Sequence, residues 1–334
     1  MTTSDVYTEL VARLKDPTSE RLRRIWQKLV TPEEGQMLLQ LPAQTAELAE
    51  KMGLDEAVTQ HKLQEFMERG LVIRTSKGLF CLPHDMTQLH DANLASANKW
   101  IDDELLDLWV DYRDNEWAQK MAGGLGDSYV QLLKVFPAFK AMERSPDFGE
   151  LLPEENIREL IKGANPIAVV PCTCRRSIRK CDLLLDACLH FNRGAEYALD
   201  RGAGRSISVE EAIAIFDESE EQGLIHTWAT GAERRLTAIC NCCRDCCDIF
   251  AIGIKIGTVE QILEKSRFRA KVDQDGCIGC EECVDRCFFE AIEMKKSPSY
   301  KEPRATIDEG KCFGCGLCAI VCDPEAITMR LVQT

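Results

Sequence analysis

The chain has 334 residues, of which 45% are hydrophobic and 29% charged, a composition that is ordinary for a globular protein of two or three domains. Its formal net charge of −14 argues against a general nucleic-acid binder, because such proteins normally present a basic face. The unusual feature is the content of 18 cysteines, since all of them except Cys81 fall between Cys172 and Cys322.

The sequence carries no signal for export or membrane insertion. Residues 1–5 lack the basic and apolar regions of a signal peptide. The longest apolar run, around residues 249–256, is shorter than a membrane span and contains Lys255. We therefore expect a cytoplasmic protein with no membrane span. Thiols stay reduced in the cytoplasm, so dense cysteine clusters there usually bind metal.

Residues 1–90 are predicted to form a mainly helical domain that ends in a β-hairpin. The helical patterns cover 19–30, 31–41, 45–51 and 55–69, and two short apolar strands, 71–74 and 79–82, flank a turn at 75–78. This order of helix, helix and hairpin resembles a winged helix-turn-helix, a module that reads DNA through its second helix. Here that helix begins with Asp55 and Glu56, and residues 44–83 contain six acidic against five basic residues. DNA is therefore an unlikely ligand, and we expect this domain to dock protein.

Residues 91–165 are predicted to continue as a helical segment. Trp100, Leu105, Trp109 and Tyr112 recur at helical spacing, which is typical of a core-facing stripe. The glycine-rich stretch at 123–126 has no following Lys-Ser/Thr and fits neither a P-loop nor a dinucleotide fingerprint, so it predicts a loop.

Residues 166–255 form a cysteine-rich region that begins with a predicted buried strand at 166–171. Its candidate metal ligands are Cys172, Cys174, Cys181, Cys188, Cys240, Cys242, Cys243, Cys246 and Cys247. Eight thiolates would complete two four-thiolate clusters, so we expect one or two further centres, with the partition of ligands open and zinc or a mixed arrangement as alternatives. Arg175, Arg176 and Arg179 would either offset cluster charge or form a solvated basic face. His226 is either a ligand or, by the commoner pattern, a core or surface residue.

Four stretches of this region carry a resemblance to an uncharacterised iron-sulfur region found beside ferredoxin modules in redox proteins of anaerobes. They are Pro171-Cys-Thr-Cys-Arg175, the segment from Cys181 to Cys188 that ends in Ala-Cys-Leu, Gly223-Leu-Ile-His226 and Ile239-Cys-Asn-Cys-Cys243. The resemblance covers about 80 residues at its widest and implies clusters, but no particular reaction.

Residues 271–334 contain an internal repeat with a shift of 35 residues. Each copy carries four cysteines in the spacing C-x2-C-x2-C-x3-C: Cys277, Cys280, Cys283 and Cys287, then Cys312, Cys315, Cys318 and Cys322. Three thiolates at this spacing can hold three corners of one cubane from a single loop, while the fourth points to the other cluster. We therefore assign one [4Fe-4S] cluster to Cys277, Cys280, Cys283 and Cys322, and the second to Cys312, Cys315, Cys318 and Cys287.

This repeat resembles the bacterial two-[4Fe-4S] ferredoxin module. Gly279 and Gly314 would let each loop curl. The repeat departs from the ferredoxin pattern in one place, because Phe288 and Asp323 follow the fourth cysteines where proline is usual. That departure bears on loop geometry and potential rather than on ligation. Zinc is the alternative, and two complete copies of the motif argue against it.

The expected fold is an α+β multidomain chain: a winged-helix-like N-terminal domain (1–90), a helical segment (91–165), a cysteine-rich region (166–255) and a ferredoxin-like dicluster domain (271–334). The first functional hypothesis is an iron-sulfur electron-transfer protein or subunit that relays low-potential electrons to or from a partner oxidoreductase in anaerobic metabolism. The alternatives are an enzyme with a catalytic iron-sulfur site in the cysteine-rich middle and a redox-responsive DNA-binding regulator. No catalytic residue is assigned.

Overall fold

A computed structural model of the chain describes residues 5–75, 77–120, 133–229, 237–257 and 259–332. The glycine-rich stretch at 123–126 lies outside the described residues. The chain divides into two compact units. The first comprises residues 1–124, 170–180 and 196–205, and the second comprises residues 125–169, 181–195 and 206–334.

The described α-helices are Val6–Arg13 (α1), Glu20–Leu29 (α2), Pro32–Leu39 (α3), Thr45–Met52 (α4), Glu56–Glu68 (α5), Met86–Leu94 (α6), Asp103–Tyr112 (α7), Phe139–Glu143 (α8), Ile157–Lys162 (α9), Thr173–Ile178 (α10), Arg193–Asp200 (α11), Val209–Glu221 (α12), Asp248–Ile256 (α13), Val259–Ile262 (α14), Glu282–Arg286 (α15) and Leu317–Ile320 (α16). Short 3-10 turns cover Asn98–Trp100, Phe148–Glu150 and Pro153–Glu155, and a π turn at Arg113–Trp117 extends α7.

The described strands are Ile73–Arg74 (β1), Phe80–Cys81 (β2), Leu133–Val135 (β3), Ile167–Pro171 (β4), Asp186–Phe191 (β5), Arg205–Ser206 (β6), Ile225–Ala229 (β7), Ala238–Cys242 (β8), Leu263–Glu264 (β9), Phe268–Val272 (β10), Ile292–Lys295 (β11), Arg304–Ile307 (β12) and Ile327–Leu331 (β13).

Helices α2 and α3 of the first unit begin directly after residues whose side chains cap them. The Ser19 hydroxyl accepts a hydrogen bond from the backbone N–H of Leu22, and Thr31 forms a capping box with Glu34 at the start of α3. Both helices bury their apolar positions, with Trp26 of α2 completely buried. The two helices α4 and α5 precede the antiparallel hairpin β1–β2, in which Ile73 pairs with Cys81.

A mixed sheet has the strand order β6-β4-β5-β8-β7-β3-β9. Antiparallel pairing joins β5 to β8, β8 to β7 and β7 to β3, whereas β3 and β9 are parallel. The sequence prediction of a helical segment over 91–165, with a loop at 123–126, did not include strand β3. This three-residue strand is specified by its neighbours β7 and β9, which are distant in sequence, rather than by a local pattern. The middle region, 166–255, is mixed α/β, and its first strand, β4, coincides with the buried strand predicted at 166–171.

The two faces of the strands β5, β8 and β7 carry different chemistry. On one face Leu189, Ile239 and Trp228 pack with Phe216 of α12 in an apolar cluster. On the other face Cys242 and Ile225 belong to a second apolar cluster that includes the core of the C-terminal region. Because side chains alternate along a strand, Cys240 and Cys242 point to the same face of β8.

The C-terminal region is built from two similar halves. Strand β10 pairs with β13 and strand β11 pairs with β12, both antiparallel. Each half contains one short helix, α15 or α16. One apolar core includes Phe268, Ile292 and Met329 from both halves. The repeat detected in the sequence therefore packs as one pseudo-symmetric body. Among the described helices, none combines the length and apolar character needed to cross a bilayer.

Candidate metal centres

The first cavity of the C-terminal region is lined by four cysteines. Cys277, Cys280, Cys283 and Cys322 surround it together with apolar side chains such as Met294 and Ile327. Cys322 is 35 residues or more from the other three in sequence, and the fold returns it to their loop through the helix α16. This is the crossed arrangement that the sequence spacing predicts.

A second cavity has the reciprocal composition. Cys312, Cys315, Cys318 and Cys287 line it, beside Phe289 and Ile307. The thiol is the donor that iron-sulfur clusters take from proteins, and each cavity offers four of them with apolar walls. The residues present therefore fit two thiolate-ligated clusters.

Two glycines shape the ligand loops. Gly279 and Gly314 have φ values of 78° and 72°, in the left-handed region. A Cβ at Gly279 would lie 2.7 Å from the carbonyl oxygen of Pro303, and one at Gly314 would lie 2.0 Å from the carbonyl oxygen of Phe268. Both positions thus require glycine for conformation and for space.

Backbone amides support the two crossed ligands. The N–H of Ala291 donates a hydrogen bond to the Cys287 sulfur at 3.3 Å. The N–H groups of Ala326 and Ile327 donate to the Cys322 sulfur, and they oppose the rise of its pKa that burial causes. Such donors favour the thiolate form and tune the potential of a bound cluster.

Burial raises the pKa of several thiols in the two cavities. It raises the pKa of Cys283 to about 11 and that of Cys315 to about 12. The pKa of Cys318 is also raised well above its usual value, first by burial and then by Cys315 and Cys312. Cluster binding must therefore displace protons, so affinity for the cluster falls as the pH is lowered.

Comparison with known proteins identifies this region. Residues 270–329 match the family model described as a 4Fe-4S dicluster domain. The C-terminal region contains a 4Fe-4S dicluster domain. The match implies two [4Fe-4S] clusters, as the cysteine spacing predicts. No curated protein and no solved structure matched the chain.

Outside the dicluster domain, the structure brings three cysteines of the middle region close together. The Cys181 sulfur lies 3.8 Å from the Cys243 sulfur and 3.5 Å from the Cys246 sulfur, and all three lie within 4.8 Å of one another. Cys243 and Cys246 are buried in the turn between β8 and α13. Cys181 is 62 residues away from Cys243, so sequence spacing alone did not connect them.

Four other cysteines form a row: Cys188, Cys240 and Cys242 lie on strands of the sheet, and Cys247 directly precedes α13. The Cys188 sulfur on β5 lies 3.9 Å from the Cys240 sulfur on β8. A hydrogen bond with the Cys240 thiol, together with burial, raises the pKa of the Cys242 thiol well above its usual value, whereas a hydrogen bond with Cys247 acts in the opposite direction. The hydroxyl of Thr227 lies 3.5 Å from the Cys242 sulfur.

Cys172 and Cys174 belong to the first unit, where the hydrogen bond that the Cys172 thiol donates to Cys174, together with burial, raises the pKa of Cys172. The basic residues beside them are held by the first unit. Arg176 donates to the carbonyl oxygens of Leu94 and Ser96, at 2.7 and 2.6 Å. Arg179 pairs with Asp103 and Asp107 of α7. Arg176 is thus bound by backbone carbonyl groups, whereas Arg179 is exposed and forms its ion pairs at the surface.

A buried polar network that no sequence pattern predicted lies on the opposite face of β8. His226 is 1% exposed, and its Nδ1 lies 2.5 Å from Oδ1 of Asn241. Its Nε2 lies 3.3 Å from Oε1 of Glu220, whose carboxylate also accepts from the backbone N–H of Phe139 at 2.6 Å. His226 is therefore a satisfied core residue, the commoner of the two readings considered from sequence. A polar residue between two strand cysteines, here Asn241, was the available signal.

The middle region and the dicluster domain share aromatic packing within the second unit. Phe250 of α13 lies 5.0 Å from Phe288 between ring centroids, and Phe289 stacks on Phe313 at 4.1 Å. Phe288 directly follows Cys287, and Phe313 directly follows Cys312. The phenylalanines at the second cavity and Cys247 therefore belong to the same apolar cluster.

Proposed function

We propose that the protein is an iron-sulfur electron-transfer protein, or a subunit of an oxidoreductase complex, that relays low-potential electrons to or from a partner in anaerobic metabolism. The observation that carries the proposal is the pair of four-cysteine cavities in a domain matching the 4Fe-4S dicluster family. The ligand sets would be Cys277, Cys280, Cys283 and Cys322 for one cluster, and Cys312, Cys315, Cys318 and Cys287 for the other. Bound clusters supply one-electron chemistry.

The protein's own residues would hold the clusters and exclude water from them. Cys312 and Cys318 at the second cavity are buried, Cys287 and Cys315 are partly buried, and phenylalanines line its walls. The apolar surroundings keep the clusters at a low effective dielectric and protect them from solvent, which are the protein's means of setting potential. The cytoplasm would keep the thiols reduced before metal is inserted.

The partner would meet the edge of the first cluster. Cys280 is exposed, and the neighbouring Ile278 is 59% exposed. Glu281, Glu282 and Asp323 are exposed nearby in the chain, on ligand segments of that same cavity. A partner that fits this surface would have an apolar patch to contact Ile278 and basic residues around that patch to pair with the acids. Such charge complementarity mainly accelerates association.

The row Cys188, Cys240, Cys242 and Cys247 would hold a third centre on the electron path. Within the described residues no three of these sulfurs lie mutually within 4.8 Å, so the row leaves more room than the compact group at Cys181. Cys240, Cys242 and Cys247 belong to or pack against the same apolar cluster as the dicluster thiols. Packing through Phe250, Phe288 and Phe289 would keep this centre adjacent to the second cluster.

Electron transfer to a basic acceptor tests the proposal. The anaerobically prepared full chain, reduced with dithionite and freed of excess reductant, should reduce cytochrome c, a basic one-electron acceptor. The rate should fall as salt is raised, because attraction between opposite charges is screened. A Glu281→Gln/Glu282→Gln double variant should be about threefold slower at low salt and indistinguishable from wild type at high salt. A protein that takes up no electrons, or fails to pass them on, would contradict the proposal.

The N-terminal domain would serve as a protein-docking, winged-helix-like module. At the start of α5 the Asp55 carboxylate accepts hydrogen bonds from the N–H groups of Ala57 and Val58. This occupies the helix N-terminus that would otherwise attract a phosphate. The bases of α5 are also occupied, because Lys62 and Arg69 both pair with Glu34 and Glu65.

The full chain is therefore expected to show no salt-dependent affinity for duplex DNA. Gln60 and Gln64, on the helix that would read bases, already hydrogen-bond Thr45 and the carbonyl oxygen of Asp200. Fluorescence anisotropy with labelled genomic fragments checks this, and a basic DNA-binding protein provides the positive control. Sequence-selective binding at physiological ionic strength, abolished by Gln60→Ala/Gln64→Ala, would favour the regulator hypothesis instead.

A further inference from the structure

The group Cys181, Cys243 and Cys246 differs in scale from the dicluster cavities. Its measured sulfur–sulfur separations are 3.5 and 3.8 Å, and all three sulfurs fit within 4.8 Å. Among the described residues, no three of the eight dicluster thiols come this close to one another. One chain therefore contains two kinds of thiol site, one compact and one wide.

The compact spacing is that of ligands around one ion. A tetrahedral zinc ion with Zn–S bonds of about 2.3 Å places its sulfurs about 3.8 Å apart. A cubane separates its thiolates further, because each binds a different iron atom at a different corner. The separations at Cys181 therefore match a single ion, whereas the wider dicluster thiols suit cubanes.

The local backbone also suits a single-ion site. Cys243-Arg-Asp-Cys246 is a C-x2-C turn. The N–H of Cys247 donates a hydrogen bond of 3.3 Å to the carbonyl oxygen of Cys243 and closes the turn. Paired thiols from one short turn, joined by a thiol from a distant segment, are usual in structural zinc sites. Cys246 is fully buried and Cys243 is 2% exposed, which protects the site from exchange with solvent.

We propose that Cys181, Cys243 and Cys246 are ligands of a structural zinc ion. The ion would fix the turn between β8 and α13 to the segment that leads into β5. That turn also carries Arg244, whose Nη2 lies 2.9 Å from Oε1 of Glu290, three residues after Cys287. Zinc has no redox chemistry, so this site would position the ligand segments and would not carry electrons.

The test uses the full-length protein with its clusters in place. Wild type should contain one zinc per chain at this site, and a Cys243→Ser/Cys246→Ser variant should lose that zinc while its iron content and the electron paramagnetic resonance of the dicluster domain stay unchanged. Cys81→Ser, at a half-buried cysteine on β2, is the matched control and should lose no metal. Loss of iron rather than zinc from the double variant would overturn the proposal.

A second measurement does not depend on a variant that folds. Zinc-edge X-ray absorption of the wild-type protein should show a first shell of three or four sulfurs at about 2.3 Å. A zinc shell of oxygen and nitrogen only, or the absence of stoichiometric zinc from protein purified without chelators, would overturn the assignment. Neither result would bear on the dicluster domain, whose clusters are followed separately by iron content and by electron transfer to cytochrome c.

Discussion

A Cys322→Ser variant should lose or convert the cluster held by Cys277, Cys280 and Cys283, although Cys322 is the fourth cysteine of the other sequence motif. The reason is geometric, since Cys322 lines the cavity of those three thiols and not that of Cys312, Cys315 and Cys318. Loss of one thiolate of four removes a bond to a corner iron, which makes the cluster labile. Iron per chain should fall by up to about four, the content of one cubane.

The measurement is paramagnetic resonance of the reduced protein together with iron analysis. Cys287→Ser should give the reciprocal result, with the second cluster altered and the first intact. Cys81→Ser, outside both motifs, should leave both signals unchanged. If Cys322→Ser altered only the signal that Cys312→Ser also altered, ligation would follow sequence order and the crossed assignment would be wrong.

A Gly314→Ala variant should fail to hold the second cluster and should destabilise the dicluster domain by about 3 kcal/mol or more. Its Cβ would lie 2.0 Å from the carbonyl oxygen of Phe268 and 2.2 Å from the hydroxyl of Ser266. The carbonyl belongs to strand β10, which is paired along its length with β13 and cannot withdraw without breaking that pairing. The loop bearing Cys312 and Cys315 must therefore move instead.

A matched glycine separates the two causes. Gly53 also has a positive φ, 64°, but a Cβ there meets nothing within 4 Å. Gly53→Ala should lower the free energy of unfolding by about 1–2 kcal/mol, the cost of placing alanine in a left-handed backbone conformation. It should leave both clusters in place. Thermal unfolding and the visible absorption of the clusters report the two effects. Equal losses in Gly53→Ala and Gly314→Ala would refute the role of the Phe268 carbonyl.

The dicluster domain was predictable because its information is local. Three ligands per cluster lie within seven residues, and the repeat itself supplies the fourth from the other copy. The middle region was not predictable in the same way. Cys188 and Cys240 meet only because β5 pairs with β8, and the two residues are 52 positions apart. No spacing rule specifies which strands pair, so the partition of the nine cysteines required the fold.

The same reasoning explains where the secondary-structure predictions succeeded and failed. Helices α2, α3 and α5 are capped by Ser19, Thr31 and Asp55, and these local caps mark where the helices begin. Strand β3 has no such local signal. Its three residues form their backbone hydrogen bonds with β7 and β9, which are distant in sequence, so the strand exists only in the assembled sheet. Arg176 and Arg179 were similarly ambiguous, because their partners lie about 80 residues earlier.

Strand β8 gives this protein little tolerance for insertion. Its even-numbered residues, Cys240 and Cys242, carry thiols, and Asn241 between them completes the hydrogen bonds of buried His226. A slip of one residue would exchange the two faces. It would place an amide among the thiols and leave cysteines against the Glu220 carboxylate and the His226 ring. Natural variation in length should therefore concentrate outside β8, and a single-residue insertion within it should abolish both the thiol row and the polar network at once.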